Sequence, residues 1–285
     1  MDELLRRYEA LGHKIDPEKI KTRQSIRINT LKISESDCIS RLKRRKITLK
    51  KIPFLDHGYW TDASFKLSST QEYLQGFYYL QEAASQLPVQ VLDPRPGDLV
   101  LDMAASPGSK TTQLAQLMQN KGCIIALESN RGRIPKLNNN LERLGVKDVL
   151  VYHKDARYAS DLGLSFDKIL LDAPCSGNFT QEPGWLEKRS VQDFQDMAKL
   201  QKALLKTAVS LLKPKGTLVY STCSLEPEEN EEVVESVLDS LPVKLQKTDL
   251  EVGEPGLSPK TALCCRFWPE KSSTQPFFLA KLVRK

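Results

Sequence analysis

The stretch Leu99-Val100-Leu101-Asp102-Met103-Ala104-Ala105-Ser106-Pro107-Gly108-Ser109-Lys110-Thr111 decides the fold. It opens as a short apolar run, the pattern of a strand buried on both faces. It then breaks at small residues and Pro-Gly, and an apolar helical spacing follows at Thr111, Leu114, Leu117 and Met118. A strand that turns sharply into a helix aims backbone N–H groups at the crevice beyond the sheet's carboxyl edge. Ala104, Ala105, Ser106 and Gly108 leave the main chain open to close approach by a ligand. Lys110 adds one fixed positive charge, suited to a carboxylate or a phosphate. An ordinary tight βα turn has the same outline, so the loop points to a nucleotide-like ligand without identifying it. It fits neither G-x-x-x-x-G-K-S/T nor G-x-G-x-x-G, which argues against a P-loop and against a standard NAD site.

Working outward, strands and helices alternate after Leu99. Strands are expected at 123–128, 149–152, 168–171 and 217–221. Helices are expected from about 132 to 144, closed by Gly145, from about 193 to 212, and from near Pro227 onward. This alternation predicts a doubly wound, Rossmann-like α/β sheet. Upstream, residues 2–11 read as an amphipathic helix and 25–31 as a half-buried strand. Ser34 or Ser36 caps a helix to about Arg45 with Cys38, Ile39 and Leu42 inward, and strands follow at 47–52 and 58–61. The expectation is a small basic α+β, RRM-like module over 1–70 and a larger domain over 71–285. Residues 70–92 read as a pair of helices whose aromatics pack between the two domains.

The totals set limits. Forty per cent of 285 residues are apolar, enough for a substantial core, and no run approaches a transmembrane length. The amino terminus lacks the apolar segment of a signal peptide. The six cysteines include no C-x-x-C pair, and adjacent Cys264 and Cys265 make a poor chelate, so neither a disulfide framework nor a metal site is expected. A reducing, cytoplasmic setting follows, in which the sequon at Asn178-Phe179-Thr180 carries no meaning. Charge is uneven: residues 1–52 hold fifteen Lys/Arg against seven Asp/Glu, a larger surplus than the +6 of the whole chain. For a single lysine a solubilising role suffices. The run Arg41-Leu42-Lys43-Arg44-Arg45-Lys46 points instead to a phosphate-rich partner.

In a doubly wound sheet the ligand lies across the strands' carboxyl ends. The first strand delivers the small-residue loop, Ala104 to Ser109, and Lys110. The second ends at Glu128, about twenty residues on, where an acid suits ribose hydroxyls. The third is followed by Asp155, able to accept from an exocyclic amine, and the fourth ends in Asp172 and Cys175. The fifth ends in Cys223. One such acid is an ordinary helix cap; acids after three successive strands indicate an adenosine-bearing cofactor, and Lys110 suits its amino-acid carboxylate. Either cysteine alone reads as structural. Two at adjacent strand ends, one stiffened by Pro174, indicate a nucleophilic thiolate for an electron-poor carbon.

Three motifs make a family resemblance specific: Asp102–Thr111, Asp172-Ala173-Pro174-Cys175-Ser176-Gly177, and Tyr220-Ser221-Thr222-Cys223-Ser224-Leu225-Glu226-Pro227-Glu228-Glu229-Asn230-Glu231. Together with Arg27–Lys32, Gln81–Ser85 and Arg266–Pro269, they resemble the Nol/Nop/Sun (Fmu-type) RNA cytosine-C5 methyltransferases, in a short form without a PUA domain. The resemblance implies S-adenosylmethionine as cofactor, held by the loop and by Lys110, Glu128, Arg133, Asp155 and Asp172. It implies Cys223 as the nucleophile on C6 of cytosine, Cys175 as the residue that assists product release, and Asp172 as the group near N3. DNA-type enzymes instead use the Pro-Cys cysteine as nucleophile, which leaves an exchange of roles open. The implied partner is structured RNA, tRNA before rRNA, met by a monomer through Arg27, Asn29, Lys43, Arg44, Arg45 and Lys46. Two departures stand out: Ala104 where the family often has Cys, and Glu270 where many members have His. The competing readings are a methyltransferase for an exocyclic nitrogen or a protein side chain, and a non-catalytic RNA-binding factor.

Overall fold

The computed structural model describes residues 2–285. Helix α1 (Asp2–Ala10) leads into a small module of strand β1 (Ser25–Ile28), helix α2 (Glu35–Arg44), strands β2 (Thr48–Lys51) and β3 (Gly58–Asp62), helix α3 (Gln71–Leu74) and strand β4 (Tyr78–Leu80). Helix α2 starts where Ser34 accepts from the Asp37 amide at 3.1 Å, and it buries Cys38 and Leu42. The four strands form an antiparallel sheet in the order β2-β3-β1-β4. Alternation along β1 sends Ile26 and Ile28 to one face, against Cys38, Leu42 and Tyr78. Two expectations change here. The sheet takes its last strand from beyond residue 70, because Tyr78–Leu80 pairs with Ile26–Ile28. Residues 70–92 are therefore a short helix, a strand and helix α4 (Ala83–Leu92), not two helices.

The larger sheet is built from β5 (Leu99–Asp102), β6 (Cys123–Glu128), β7 (Val149–His153), β8 (Phe166–Asp172) and β9 (Leu212–Thr222). Between them lie α5 (Ser109–Leu117), α6 (Ile134–Leu144), the one-turn α7 (Trp185–Lys188) and α8 (Val191–Leu211). After β9 come α9 (Glu231–Leu238), β10 (Val243–Gln246), β11 (Glu254–Pro255), β12 (Cys265–Phe267), α10 (Pro269–Ser272) and β13 (Phe277–Arg284). The spatial order is β11-β12-β13-β9-β8-β5-β6-β7, with β10 paired to β13. Strands β5 to β9 run parallel, and β13 returns antiparallel along β9.

Each central strand is buried on both faces. Leu101, Ile169, Leu171 and Tyr220 pack under α8 and α9, while Val100, Leu170 and Val219 pack under α4 and α5. This explains the uninterrupted apolar runs. Strand order reverses between β5 and β8, the place where such sheets open a crevice. No helix among the described residues is long and apolar enough to cross a membrane.

Candidate active site

The loop after β5 is held tightly. Met103 donates to Leu170 O at 3.0 Å and Ala105 to Leu127 O at 2.9 Å, so it is anchored to both flanking strands. Gly108 takes φ +98° at the start of α5, and a Cβ there would come within 3.0 Å of Leu137 on α6. Asp102, fully buried at the end of β5, accepts from Thr111 Oγ1 at 2.7 Å; burial still pushes its carboxyl up to about 6. Ser106 O accepts from Arg133 Nη2 at 2.7 Å, and Arg133 lies 3.7 Å from Glu128 Oε2. Glu128 Oε1 accepts from the Asn130 amide at 2.7 Å. Ala104, Glu128, Arg133, Asp155 and Pro174 line one crevice of about 190 Å³. Asp155 is chelated by Arg157, and that contact holds its carboxylate below the usual range.

Lys110 departs from the expectation that it awaits a ligand carboxylate. Its Nζ donates to Asp172 Oδ2 at 2.6 Å, because β5 and β8 are neighbours and the first turn of α5 overhangs the end of β8. Asp172 Oδ1 accepts from Ser221 Oγ at 2.8 Å. Asp172 is thus a shared anchor of three strand ends, still partly open to solvent.

Register brings the cysteines together. Asp172 lies beside Ser221 in the parallel β8–β9 pair, and Ala173 donates to Ser221 O at 2.8 Å. The loops leave side by side, and Cys175 Sγ lies 2.8 Å from Cys223 Sγ, both as free thiols. The contact with Cys223, reinforced by burial, raises the Cys175 thiol well above its ordinary value. Asn178, whose side chain is buried, donates to Cys223 O at 2.9 Å. Residues that reading by strand ends missed surround this pair: Asn178, Gln201, Glu229 and Asn230. The only signal for Glu229 and Asn230 is that they belong to the long motif after Cys223; Gln201 has none, sitting mid-helix on α8.

The module's expected RNA contacts divide. Lys43, Arg44, Arg45 and Lys46 are exposed, though Arg45 is paired with Glu72 at 2.6 Å. Arg27 and Asn29 are each 1 % exposed and are corrected to internal roles. Arg27 donates to Gln81 Oε1 at 2.6 Å, Ser109 O at 2.8 Å and Thr112 Oγ1 at 2.8 Å. Asn29 donates to Gly76 O at 2.8 Å and Leu144 O at 2.9 Å. The physical reason is that the sheet face opposite α2, which an isolated module would expose, is covered by α4, α5 and α6.

Comparisons with known proteins agree with this architecture. Residues 89–283 match the family described as 16S rRNA methyltransferase RsmB/F, and residues 2–83 match the N-terminal domain of 16S rRNA methyltransferase RsmF. A ribosomal RNA small subunit methyltransferase F of Aeromonas hydrophila is 39% identical over 274 residues, covering 91% of this chain and 57% of that protein. The chain therefore spans little more than half the length of the bacterial rRNA relatives it matches. A tRNA (cytosine(49)-C(5))-methyltransferase of Pyrococcus abyssi is 40% identical over 277 residues, covering 91% of this chain and 88% of that protein. A solved structure of NSun6 from Pyrococcus horikoshii with SFG superposes with a TM-score of 0.89 at 29% identity, covering 98% and 97% of the two chains. On sequence and on fold, the chain belongs to the RsmB/F family of RNA methyltransferases, the Sun/Fmu type.

Proposed function

We propose that this chain methylates C5 of a cytosine in structured RNA through a covalent bond between Cys223 and C6, with tRNA as the favoured substrate. The observation that carries the reading is the pair of thiols 2.8 Å apart beyond the carboxyl ends of β8 and β9, next to the place between β5 and β8 where the strand order reverses. The crevice fits S-adenosylmethionine: the small-residue loop admits close approach, Glu128 Oε2 makes no hydrogen bond and is free to accept from ribose, and Asp155 lies beyond it. When bound, S-adenosylmethionine supplies an electrophilic methyl group.

The chain's own residues supply the rest. Cys223 acts as the nucleophile, and Cys175 lies 2.8 Å away, where either thiol can be the donor of the pair. Cys223 Sγ bonds to C6, and the electron pair of the C5–C6 double bond moves toward C5 and N3. N3 takes up a proton from solvent as charge develops there, and Asp172, oriented by Lys110 and Ser221, accepts a hydrogen bond from the resulting N3–H. C5, made electron-rich, takes the methyl group that the cofactor supplies. A base then removes the C5 proton, the C–H electron pair re-forms the C5–C6 double bond, and Cys223 leaves C6 as a thiolate. Cys175 assists that release.

Cytosines in folded RNA must be extruded to reach these thiols. Lys43, Arg44 and Lys46 are the phosphate contacts that remain after Arg27 and Asn29 are assigned inside the protein. Lys43 and Lys46 border a groove of about 510 Å³ whose apolar walls are Ile39, Ile47 and Leu49. Coverage of 88% of the Pyrococcus abyssi tRNA enzyme supports tRNA over rRNA.

RNA containing 5-fluorocytosine provides the test. The protein should form an adduct stable to denaturing electrophoresis, which Cys223→Ala abolishes and Cys175→Ala preserves. An adduct that survives Cys223→Ala would transfer the nucleophile's role. Full methyl transfer by the doubly substituted protein would favour the exocyclic-nitrogen reading. Mapping of 5-methylcytosine in tRNA and rRNA exposed to the protein separates the two RNA classes.

A further inference from the structure

Glu229 is fully buried and touches neither thiol, yet it meets both cysteine loops. Its Oε2 accepts from the Ser176 amide at 3.0 Å and from Gln201 Nε2 at 2.8 Å. Its Oε1 accepts from Ser224 Oγ at 2.9 Å and from Ser176 Oγ. Ser176 directly follows Cys175 and Ser224 directly follows Cys223. The same Gln201 Nε2 lies 2.8 Å from Pro174 O, on the other side of Cys175. The main chain of Glu229 accepts from Tyr220 OH at 2.5 Å, and next to it Asn230 accepts from Thr222 Oγ1 at 2.6 Å and donates to Ser224 O at 3.0 Å.

Every donor to this carboxylate is neutral. Among the described residues no Lys, Arg or His forms an ion pair with it, and burial raises its pKa. A buried acid without a counter-charge is costly unless it is hydrogen-bonded, and one that accepts four hydrogen bonds has a defined place. This one joins the two segments whose separation the chemistry needs.

We propose that Glu229 is a positioning residue that fixes the Pro174–Ser176 loop against the Thr222–Ser224 loop and so sets the distance between the two thiols. The consequence for activity rests on the cysteine chemistry proposed above; the geometric claim does not. Steps that use both thiols depend on Glu229 more than RNA binding does. Misplacement of reacting groups by about 1 Å costs on the order of a hundredfold in rate.

The test separates geometry from chemistry. Phenylarsine oxide bridges two thiols only when both reach one arsenic atom, with loss of water. The wild-type protein should retain one equivalent, and Cys175→Ala or Cys223→Ala should lose it. Glu229→Gln keeps the size but sets an amide donor against donors. It should weaken arsenical retention about tenfold or more and lower kcat roughly 10- to 100-fold, with KM for RNA changed less than about threefold. Should Glu229→Gln fail to fold, Ser176→Ala and Ser224→Ala each remove one arm and should give the same pattern, about three- to tenfold. Folded variants with wild-type arsenical retention and kcat would overturn the proposal. If retention falls while no wild-type adduct forms on 5-fluorocytosine RNA, the positioning role stands and the proposed reaction fails.

Discussion

The crevice around Cys175 and Cys223 and the junction around Arg27 are both polar and largely buried, but they spend their hydrogen bonds differently. At the junction Arg27 gives its two terminal nitrogens to Gln81, Ser109, Thr112 and Gln113, and Asn29 bridges Gly76 to Leu144. Gly76 holds φ +74°, and a Cβ there would come within 1.9 Å of Arg143 O, so the backbones of module and domain touch directly. In the crevice the groups stay partly accessible: Asp172, Cys175 and Cys223 are half-buried, and Glu128 Oε2 accepts no hydrogen bond, its nearest charge being Arg133 at 3.7 Å. Polar groups turned onto their own chain hold the structure, even though Arg27 Nε is buried there without a partner; groups at an opening are available to ligands.

Breaking one region should therefore cost rate and breaking the other should cost stability. Asp172→Asn is the strongest case on the side of rate. It keeps the shape but removes the charge that Lys110 and Ser221 orient at the base. We expect kcat to fall roughly 10²- to 10³-fold, the scale of losing one preorganised electrostatic group. Urea denaturation should show a smaller stability loss than at the junction. Wild-type kcat in a folded Asp172→Asn protein would remove Asp172 from the chemistry.

The opposite outcome is expected for Arg27→Met. It leaves Gln81 Oε1 buried without a donor, while Ser109 O keeps Thr112 Oγ1 and Gln113 Oε1 keeps Gln81 Nε2, at a cost of about 2 kcal/mol in urea denaturation. Arg27→Lys should recover only part, because a single ammonium cannot reproduce the fork to Ser109 and Thr112. Activity per folded molecule should stay within about threefold, since Arg27 is far from solvent. If Arg27→Met melted like the wild type yet lost RNA affinity, Arg27 would be an RNA contact after all, and the contrast between the regions would break.

The same contrast explains what was legible. Parallel strands buried on both faces write themselves as apolar runs, so Leu99–Asp102 and Phe166–Asp172 announce where the crevice lies, and their ends announce Asp172 and Cys175. The nearness of Cys223 follows from the register of two adjacent strands. Arg27 misleads because alternation in β1 identifies a two-faced strand without saying what covers the second face. Strand β4 was hidden by its three residues, which owe their conformation to pairing with β1 more than to any pattern of their own. Lys110 was legible as a charge but not as the partner of Asp172, a contact between residues 62 positions apart. Glu229 stayed hidden because an acid in an acidic run reads as solvated, and only the tertiary structure buries it.

A second contact joins the amino-terminal residues to the loop after β9, and this one can titrate. Glu226, fully buried just past Cys223, accepts from Tyr8 OH at 2.6 Å and from Arg7 Nη2 at 3.1 Å, which docks α1 on this loop. Burial raises its carboxyl from 4.5 to about 7, with Tyr8 and Arg7 offsetting part of the effect. Between those values the folded chain binds more protons than the unfolded one, so this group makes stability fall as pH rises, by at most about 1.4 kcal/mol per pH unit. The contribution is largest below the unfolded value and is lost as pH passes through about 7. Glu226→Gln removes the titration but keeps an acceptor for Tyr8, and Arg7 retains Glu228 at 2.7 Å. Urea denaturation at pH 5, 6, 7 and 8 should therefore show the variant gaining on the wild type as pH rises, then levelling. Parallel curves would mean that Glu226 binds its proton equally in the folded and unfolded chains, and that α1 is held by its apolar contacts with Trp185 and Trp268 and by Arg7 on Glu228. Arg27, whose guanidinium burial lowers only to about 9, should give a stability loss nearly constant from pH 5 to 7, which separates the two contacts in one series of measurements.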